Sequence, residues 1–149
     1  MRKPLLWLTL AGEVVFGGFL LAQDAESPWK VESLNANGVI KFDLETGEMR
    51  ANNGVRVRYK EGTPEAAVLS SNNAILNQKT GNITATGNVI LNREDTVWKA
   101  ERLEYNFRTK NVTSAQFRVG KMAYFIKGAK MTGNQTNGVF QASDIIFSA

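Results

Sequence analysis

Few side chains in this sequence could carry acid–base chemistry. There is no His and no Cys, which removes imidazole catalysis, thiol nucleophiles and the usual zinc ligands. Two groups of acidic residues, Glu94 with Asp95 and Glu101 with Glu104, have the residue type of a hydrolytic carboxylate pair. No further acid, base or cleft signal accompanies them. We therefore expect a protein that is not an enzyme and has no catalytic residue, metal site or cofactor.

Basic residues are the second set that could do chemistry, by binding phosphate groups. The candidates are Lys41, Arg50, Arg56, Arg58 and Lys60. The alternative is an ordinary solvated outer face, and the spacing favours it. The 18 basic and 14 acidic residues, with a net charge of +4, are interspersed along the chain and form no basic stripe. This pattern predicts no nucleic-acid partner.

The first 22 residues differ from the rest of the chain. Arg2 and Lys3 precede a mostly apolar stretch, and a polar run follows Ala22. This is typical of a secretory signal peptide cleaved near Ala22. The alternative is an uncleaved inner-membrane anchor, since about 18 apolar residues can span a bilayer. Glu13 counts against both, and more against a permanent span. Either way the chain is exported, with residues 23–32 as a linker.

Residues 33–149 alternate between apolar and polar side chains almost throughout. A period of two is the signature of strands with one buried face, and the runs are separated by Gly, Asn and Pro turn signals. The parity slips near Glu101, which predicts a β-bulge, and again at residues 143–144. We expect an all-β domain of about a dozen short antiparallel strands. A sheet this long must curl or fold over to bury its apolar face, which predicts an open β-jellyroll or folded-over sandwich.

A weak internal repeat supports this architecture. Each copy has a turn residue that tolerates positive φ, a small Ala four positions later and a β-branched residue eight positions later. The four copies are Gly47-Ala51-Val55, Gly81-Ala85-Val89, Asn111-Ala115-Val119 and Gly138-Ala142-Ile146.

Several of these units resemble a known family, the OstA/LptA-like domain. The resemblance rests on residues 42–47, 74–81 and 85–91, and on an A-x-x-L-x-Y step at residues 100–106, and it extends over roughly residues 33–149. The family includes the periplasmic bridge protein of lipopolysaccharide transport, the bitopic inner-membrane component and the N-terminal domain of the outer-membrane translocon. A leader followed by one such domain is most similar to the bridge protein.

The resemblance implies a non-enzymatic periplasmic protein whose apolar groove carries acyl chains of lipopolysaccharide or a related glycolipid. It also implies head-to-tail strand addition with other OstA-like domains, at the inner-membrane transporter and the outer-membrane translocon, and with further copies of itself. The alternating apolar residues are then the candidate groove: Ile40, Phe42, Val55, Val57, Tyr59, Ile83, Val89, Leu91, Leu103, Tyr105, Phe107, Phe117 and Phe140. Two alternatives stay open: an ordinary closed core for these residues, and an envelope scaffold or assembly factor without lipid cargo.

Overall fold

The computed structural model describes residues 27–149, and this part of the chain forms one antiparallel sheet of 12 strands. The predicted signal peptide, and the linker up to residue 26, lie outside the described residues. The strands are β1 (Trp29–Ser33), β2 (Val39–Asp43), β3 (Glu48–Asn52), β4 (Val55–Tyr59), β5 (Ala67–Ser71), β6 (Asn73–Asn77), β7 (Asn82–Arg93), β8 (Thr96–Asn106), β9 (Asn111–Lys121), β10 (Tyr124–Asn134), β11 (Val139–Ser143) and β12 (Ile146–Ser148). The prediction of an all-β jellyroll of about a dozen strands is confirmed.

The sheet consists of two halves that share the four long strands β7 to β10. The first half-sheet has the order β1-β4-β5-β7-β8-β9-β10-β12, and the second has the order β2-β3-β6-β7-β8-β9-β10-β11. Each long strand contributes one end to each half-sheet. The two halves fold over so that their apolar faces meet, which buries a core that neither half could bury alone.

A line of backbone irregularities marks the fold between the halves. Short strands break there, and a backbone hydrogen-bond series crosses the breaks: Leu34 N–H to the Gly54 carbonyl (3.1 Å), Gly54 N–H to Asn72 (2.8 Å) and Asn72 N–H to Gly87 (2.8 Å). These contacts satisfy backbone groups that the interrupted ladders leave unpaired. Because the series runs across the strands, it marks where the sheet bends.

The predicted bulge near Glu101 is confirmed at this line. Thr86 pairs with Arg102 and Val89 with Ala100, so two residues of β7 face Glu101 alone. The extra residue is therefore on β7, where Gly87 and Asn88 have φ of 80° and 49°. The parity slip at residues 143–144 coincides with the break between β11 and β12, where Asp144 has φ of 53°.

The repeated unit is a turn, and the structure corrects its third copy. The positive-φ residue there is Lys110 (φ 67°), not Asn111. In all four turns the N–H of this residue donates to the carbonyl four positions earlier, as Gly81 does to Asn77 and Lys110 to Asn106 (both 2.8 Å). Asn is the common non-glycine residue in this conformation, so the sequence pattern selected the neighbour of the lysine. The buried residue four positions after Lys110 is accordingly Ser114, not Ala115.

These turns stack at the free end of the second half-sheet. The carbonyls of Gly47, Gly81 and Lys110 each accept an N–H from the following turn. Asn106 continues the stacking, because its side-chain amide donates to the Thr80 carbonyl at 3.1 Å. The turns therefore form one hydrogen-bonded row, which fixes the spacing of the strands that leave it.

The domain begins earlier than the sequence pattern indicated. β1 starts at Trp29 and pairs with β4, so the last residues of the predicted linker belong to the sheet. Trp29 is buried against Tyr59, with ring centroids 4.5 Å apart. Only two inward residues, Trp29 and Val31, carry the alternation in β1, which is too short a run for periodicity to identify.

Candidate functional site

An apolar groove lies between the half-sheets, on the side formed by β8 to β12. It encloses a cavity of about 400 Å³, a size within the usual range of small-ligand sites. Its apolar lining comes from both halves: Trp98, Val119, Ile126, Met131, Phe140 and Phe147. Direct pairing of Ile126 with Phe147 and of Gly133 with Phe140 places these two phenylalanines on the inner face of the sheet.

A second interior feature is an aromatic cluster centred on Phe107. Phe107, in the third turn, contacts Trp29, Tyr59 and Tyr105 with ring centroids 4.8, 5.2 and 4.8 Å apart. The contacts with Trp29 and Tyr105 are edge-on, a favoured geometry for aromatic pairs. Because Trp29 and Tyr59 belong to the first half-sheet and Phe107 to the second, the cluster holds the two halves together.

The structure divides the thirteen candidate groove residues into two groups. Ten are buried in the interior: Val55, Val57, Tyr59, Ile83, Val89, Leu91, Leu103, Tyr105, Phe107 and Phe117. The other three are partly exposed at the edges: Ile40 (38%) and Phe42 (47%) on β2, and Phe140 (37%) on β11. Of the thirteen, only Phe140 lines the groove cavity.

The edges of the folded sheet are apolar and uncovered within residues 27–149. All residues of β2, β11 and β12 are exposed, including Val139, Ile146 and Phe147. In the described chain each of these strands pairs on one side only, so its outer backbone groups face solvent. Uncovered apolar edges are templates for pairing with another strand.

Polar groups gather where the free ends of the two halves approach each other, beside the groove. Tyr105 donates its hydroxyl to Gln135 Oε1 at 2.8 Å, and burial raises the pKa of this tyrosine to about 12. Lys110 is buried; desolvation, and then the positive charge of Arg93, lower its pKa below the usual value. Its ammonium donates to the Phe107 carbonyl and lies 5.5 Å from the Tyr59 ring centroid.

Four of the five basic residues singled out in the sequence pair with acidic neighbours, and the fifth, Lys41, is exposed on β2. Arg50 pairs with Glu48 at 2.8 Å, Arg58 with Glu32 at 3.1 Å, and Lys60 with Glu65. A more distant pair joins Arg56 to Glu32 at 3.9 Å. The contacts of Arg50, Arg56 and Arg58 are those of a mixed, solvated surface.

Of the acidic residues singled out in the sequence, three lie beside cations and Glu101 is exposed. Glu94 lies 3.5 Å from Arg93, Asp95 lies 3.5 Å from Lys121, and Glu104 pairs with Arg102. Within residues 27–149 no group of three or more acidic residues is arranged to hold a metal ion.

Comparison with known proteins identifies the family. The family model described as "Lipopolysaccharide-assembly, LptC-related" matches residues 30–143. The chain belongs to this family. The fold of this LptC-related chain is similar to that of LptH from Pseudomonas aeruginosa, the LptA-homologous periplasmic component of its lipopolysaccharide transport device. The TM-score is 0.68 at 14% identity, covering 83% of this chain and 95% of that one. A search of curated proteins gives no match.

Both findings confirm the resemblance drawn from the sequence. The LptC-related match begins within β1 and ends with β11, so it includes the exposed strands β2 and β11 and all of the groove lining except Phe147. Across residues 27–149 of this family member, no helix is long and apolar enough to cross a membrane.

Sequence reasoning missed the polar residues at the mouth of the groove. Arg93, Arg108 and Lys110 lie in predicted turns, at residues 93–95 and 108–111, and belong to no alternating run, so periodicity does not select them. The available signal was the turn motif, in which Lys110 stands where the other three turns have glycine.

Proposed function

We propose that this LptC-related chain is a periplasmic, lipid-binding component of the lipopolysaccharide export bridge and acts without catalysis. The observation that carries the proposal is the apolar groove of about 400 Å³ between the two half-sheets. Both half-sheets line it, and Phe140 and Phe147 on its rim are partly exposed. An acyl chain lying along this groove would cover the apolar side chains that the fold leaves in contact with water.

Transfer of the acyl chain from water supplies the driving force. Each buried methylene contributes about 0.8 kcal/mol, so about ten methylenes contribute up to about 8 kcal/mol. No specific polar contact is needed for that gain, and the flexible side chain of Met131 can adapt to different conformations of the acyl chain.

The exposed edge strands support head-to-tail assembly as the second part of this function. We infer that β11 and β12 at one edge and β2 at the other accept strands from neighbouring OstA-like domains or from further copies of this chain. Backbone hydrogen bonds would supply affinity, and the exposed side chains of Phe42 and Phe147 would supply specificity. Because the two edges differ, such contacts extend into open filaments and do not close into dimers.

The location of the domain in the periplasm follows from the same proposal. The apolar leader would direct export, either with removal of residues 1–22 or by remaining as an inner-membrane anchor. In both cases the groove and edges lie between the two membranes, where an acyl chain must be shielded from water.

One observation favours an envelope scaffold without lipid cargo. Ten of the thirteen apolar residues that the sequence offered as a groove are buried in a closed interior. A core of this kind stabilises the domain whether or not lipid binds.

Native mass spectrometry of the protein isolated from an envelope fraction separates the two functions. Lipid transport predicts a population with the added mass of a glycolipid, which is lost from a Val119→Glu/Ile126→Glu variant. A matched Arg118→Glu/Lys127→Glu variant, altered on the outer face, should keep the bound lipid. A lipid-free chain that carries only protein partners would support the scaffold.

A further inference from the structure

A polar cavity of about 810 Å³ adjoins the apolar groove at its open end. It lies between the free ends of the two half-sheets, where the β4–β5 and β7–β8 connections face the third and fourth turns. Its charged lining consists of Lys60, Arg93, Arg108, Lys110, Glu65 and Glu94. Arg93, Glu94 and Gln135 line this cavity and the groove alike, so the two spaces adjoin at these three residues.

The charge around this cavity is positive. Four cationic side chains face two carboxylates, and those carboxylates are engaged by Lys60 and Arg93. Arg108 donates instead to the Gln78 and Lys79 carbonyls, and Lys110 donates to the Phe107 carbonyl. Within residues 27–149, neither of these two cations forms an ion pair with a carboxylate.

Two buried donors on residues that line the groove lack a hydrogen-bond partner in the described structure. They are Nε of Arg93, whose side chain is 15% exposed, and Nε1 of Trp98, which is almost fully buried. An unpaired buried donor is costly, and each one requires an explanation. Both side chains line the groove, and Arg93 also lines the cationic cavity, so the unpaired donor of Arg93 lies where the two spaces meet.

We propose that Lys60, Arg93, Arg108 and Lys110 form a site for the phosphate group of an amphiphile whose acyl chain lies in the adjoining groove. The inference rests on the proposed function for the position of the acyl chain. Arg93 is central, because its guanidinium offers several donors in one plane and matches phosphate geometry. The phosphate would also compensate the buried charge of Lys110 and raise its lowered pKa.

Two amphiphiles with the same alkyl chain test the phosphate site on the protein purified from an envelope fraction. Octyl phosphate and octyl glucoside share a chain and differ in headgroup charge, and both are titrated below their micelle-forming concentrations by calorimetry. Inorganic phosphate is the third probe. We expect octyl phosphate to bind about tenfold more tightly than octyl glucoside, because charge-assisted hydrogen bonds act only on the former.

Three variants and one control assign the preference for octyl phosphate to individual residues. Arg93→Gln and Lys110→Asn should each reduce the preference, and asparagine tolerates the positive φ at position 110. Arg93→Lys should restore part of it, because the charge returns without the planar fork. Arg118→Gln, on the exposed outer face of β9, should leave it unchanged. Thermal unfolding monitored by circular dichroism verifies that each variant is folded.

The outcomes separate this site from the groove. Equal binding of the two amphiphiles, unaffected by Arg93→Gln, would overturn the phosphate site and leave the groove standing. Binding of inorganic phosphate that depends on Arg93, with no amphiphile binding, would retain the phosphate site and reject the acyl-chain groove. Failure of all three probes to bind would reject both.

Discussion

The ring of Phe140 packs against the ring of Trp98 across the groove, with centroids 5.1 Å apart and planes inclined by 60°. Trp98 belongs to the first half-sheet and Phe140 to an edge strand of the second. Opposite Phe140 on β10 is Gly133, where an added Cβ would collide with Phe140 Cδ1. The glycine therefore makes room for the ring of Phe140 on the rim of the groove.

The first prediction concerns this contact. Phe140→Ala should lower the free energy of unfolding by about 1–2 kcal/mol and change Trp98 fluorescence, because it removes an aromatic pair. Gly133→Ala alone should also destabilise, by about 1–3 kcal/mol, since it forces Phe140 to move. Urea unfolding of both single variants and the double variant measures their coupling. Phe125→Ala, on the outer face of β10, is the control and should leave Trp98 fluorescence unchanged.

The coupling decides the interpretation. In the double variant the cost of the added methyl group should fall, because the ring it displaces is gone. Strictly additive effects would mean that the ring does not occupy the space above Gly133.

The second prediction concerns Tyr105. Because burial raises its folded-state pKa to about 12, the unfolded chain loses this proton first as the pH rises above 10. The folded state then binds more protons, so stability should fall by about 1.4 kcal/mol per pH unit between pH 10 and 12. Tyr105→Phe should remove this part of the pH dependence while losing the hydrogen bond to Gln135. An unchanged slope in Tyr105→Phe would show that another group titrates there.

The third prediction concerns Asp43, which starts the first turn. The backbone N–H groups of Thr46 and Glu45 donate to its carboxylate and lower its pKa. The stabilisation is therefore present above the unfolded pKa of about 3.8 and is lost as the pH falls through the folded pKa. Asp43→Asn should keep the turn, because Asn77, Asn106 and Asn134 occupy the equivalent position of the other three turns. Asp43→Ala should lower Tm.

Thermal melts at neutral and acid pH check this assignment. The difference in Tm between the wild-type protein and Asp43→Asn should shift in favour of Asn as the pH falls. A constant difference at both pH values would contradict the role of the ionised carboxylate.

The fourth prediction concerns assembly through the edges. Val139→Lys places a charge on the exposed edge strand β11 and should reduce concentration-dependent growth in light scattering. Thr136→Lys, in the adjoining turn, is the control and should scatter like the wild-type protein. Loss of particle growth in both variants would indicate a general charge effect. If neither the wild-type protein nor the variants form larger particles as concentration rises, head-to-tail assembly is contradicted.

A comparison of Val57 with Phe42 shows how far the sequence could predict this structure. The period of two placed Val57 and Phe42 on the inner face alike, and in the structure Val57 is fully buried while Phe42 is exposed at an edge. Alternation reports which face a side chain occupies, but burial depends on which part of the other half-sheet lies opposite. That information is non-local, so β2 and β4 look the same in sequence.

The cluster of polar residues at the mouth of the groove could not be predicted from the sequence for a related reason. Lys60, Arg93 and Lys110 come from three separate connections that the fold brings together at one end. Turn chemistry identified those connections as turns, and nothing in their sequences reports that they converge. Turn-residue preferences did not identify Lys110 as the positive-φ residue. The stacked turns and the Phe107 carbonyl hold this lysine in a conformation that favours glycine.

Site-specific photo-crosslinking in cells tests the lipid groove most directly. A photoreactive residue at Ile126 or Val119 faces the groove, whereas one at the adjacent Lys127 or Arg118 faces outward because successive strand residues alternate. The lipid-groove account predicts glycolipid adducts at Ile126 and Val119 and none at Lys127 and Arg118. Equal labelling at both members of each pair, or labelling only at the outward positions, would contradict it.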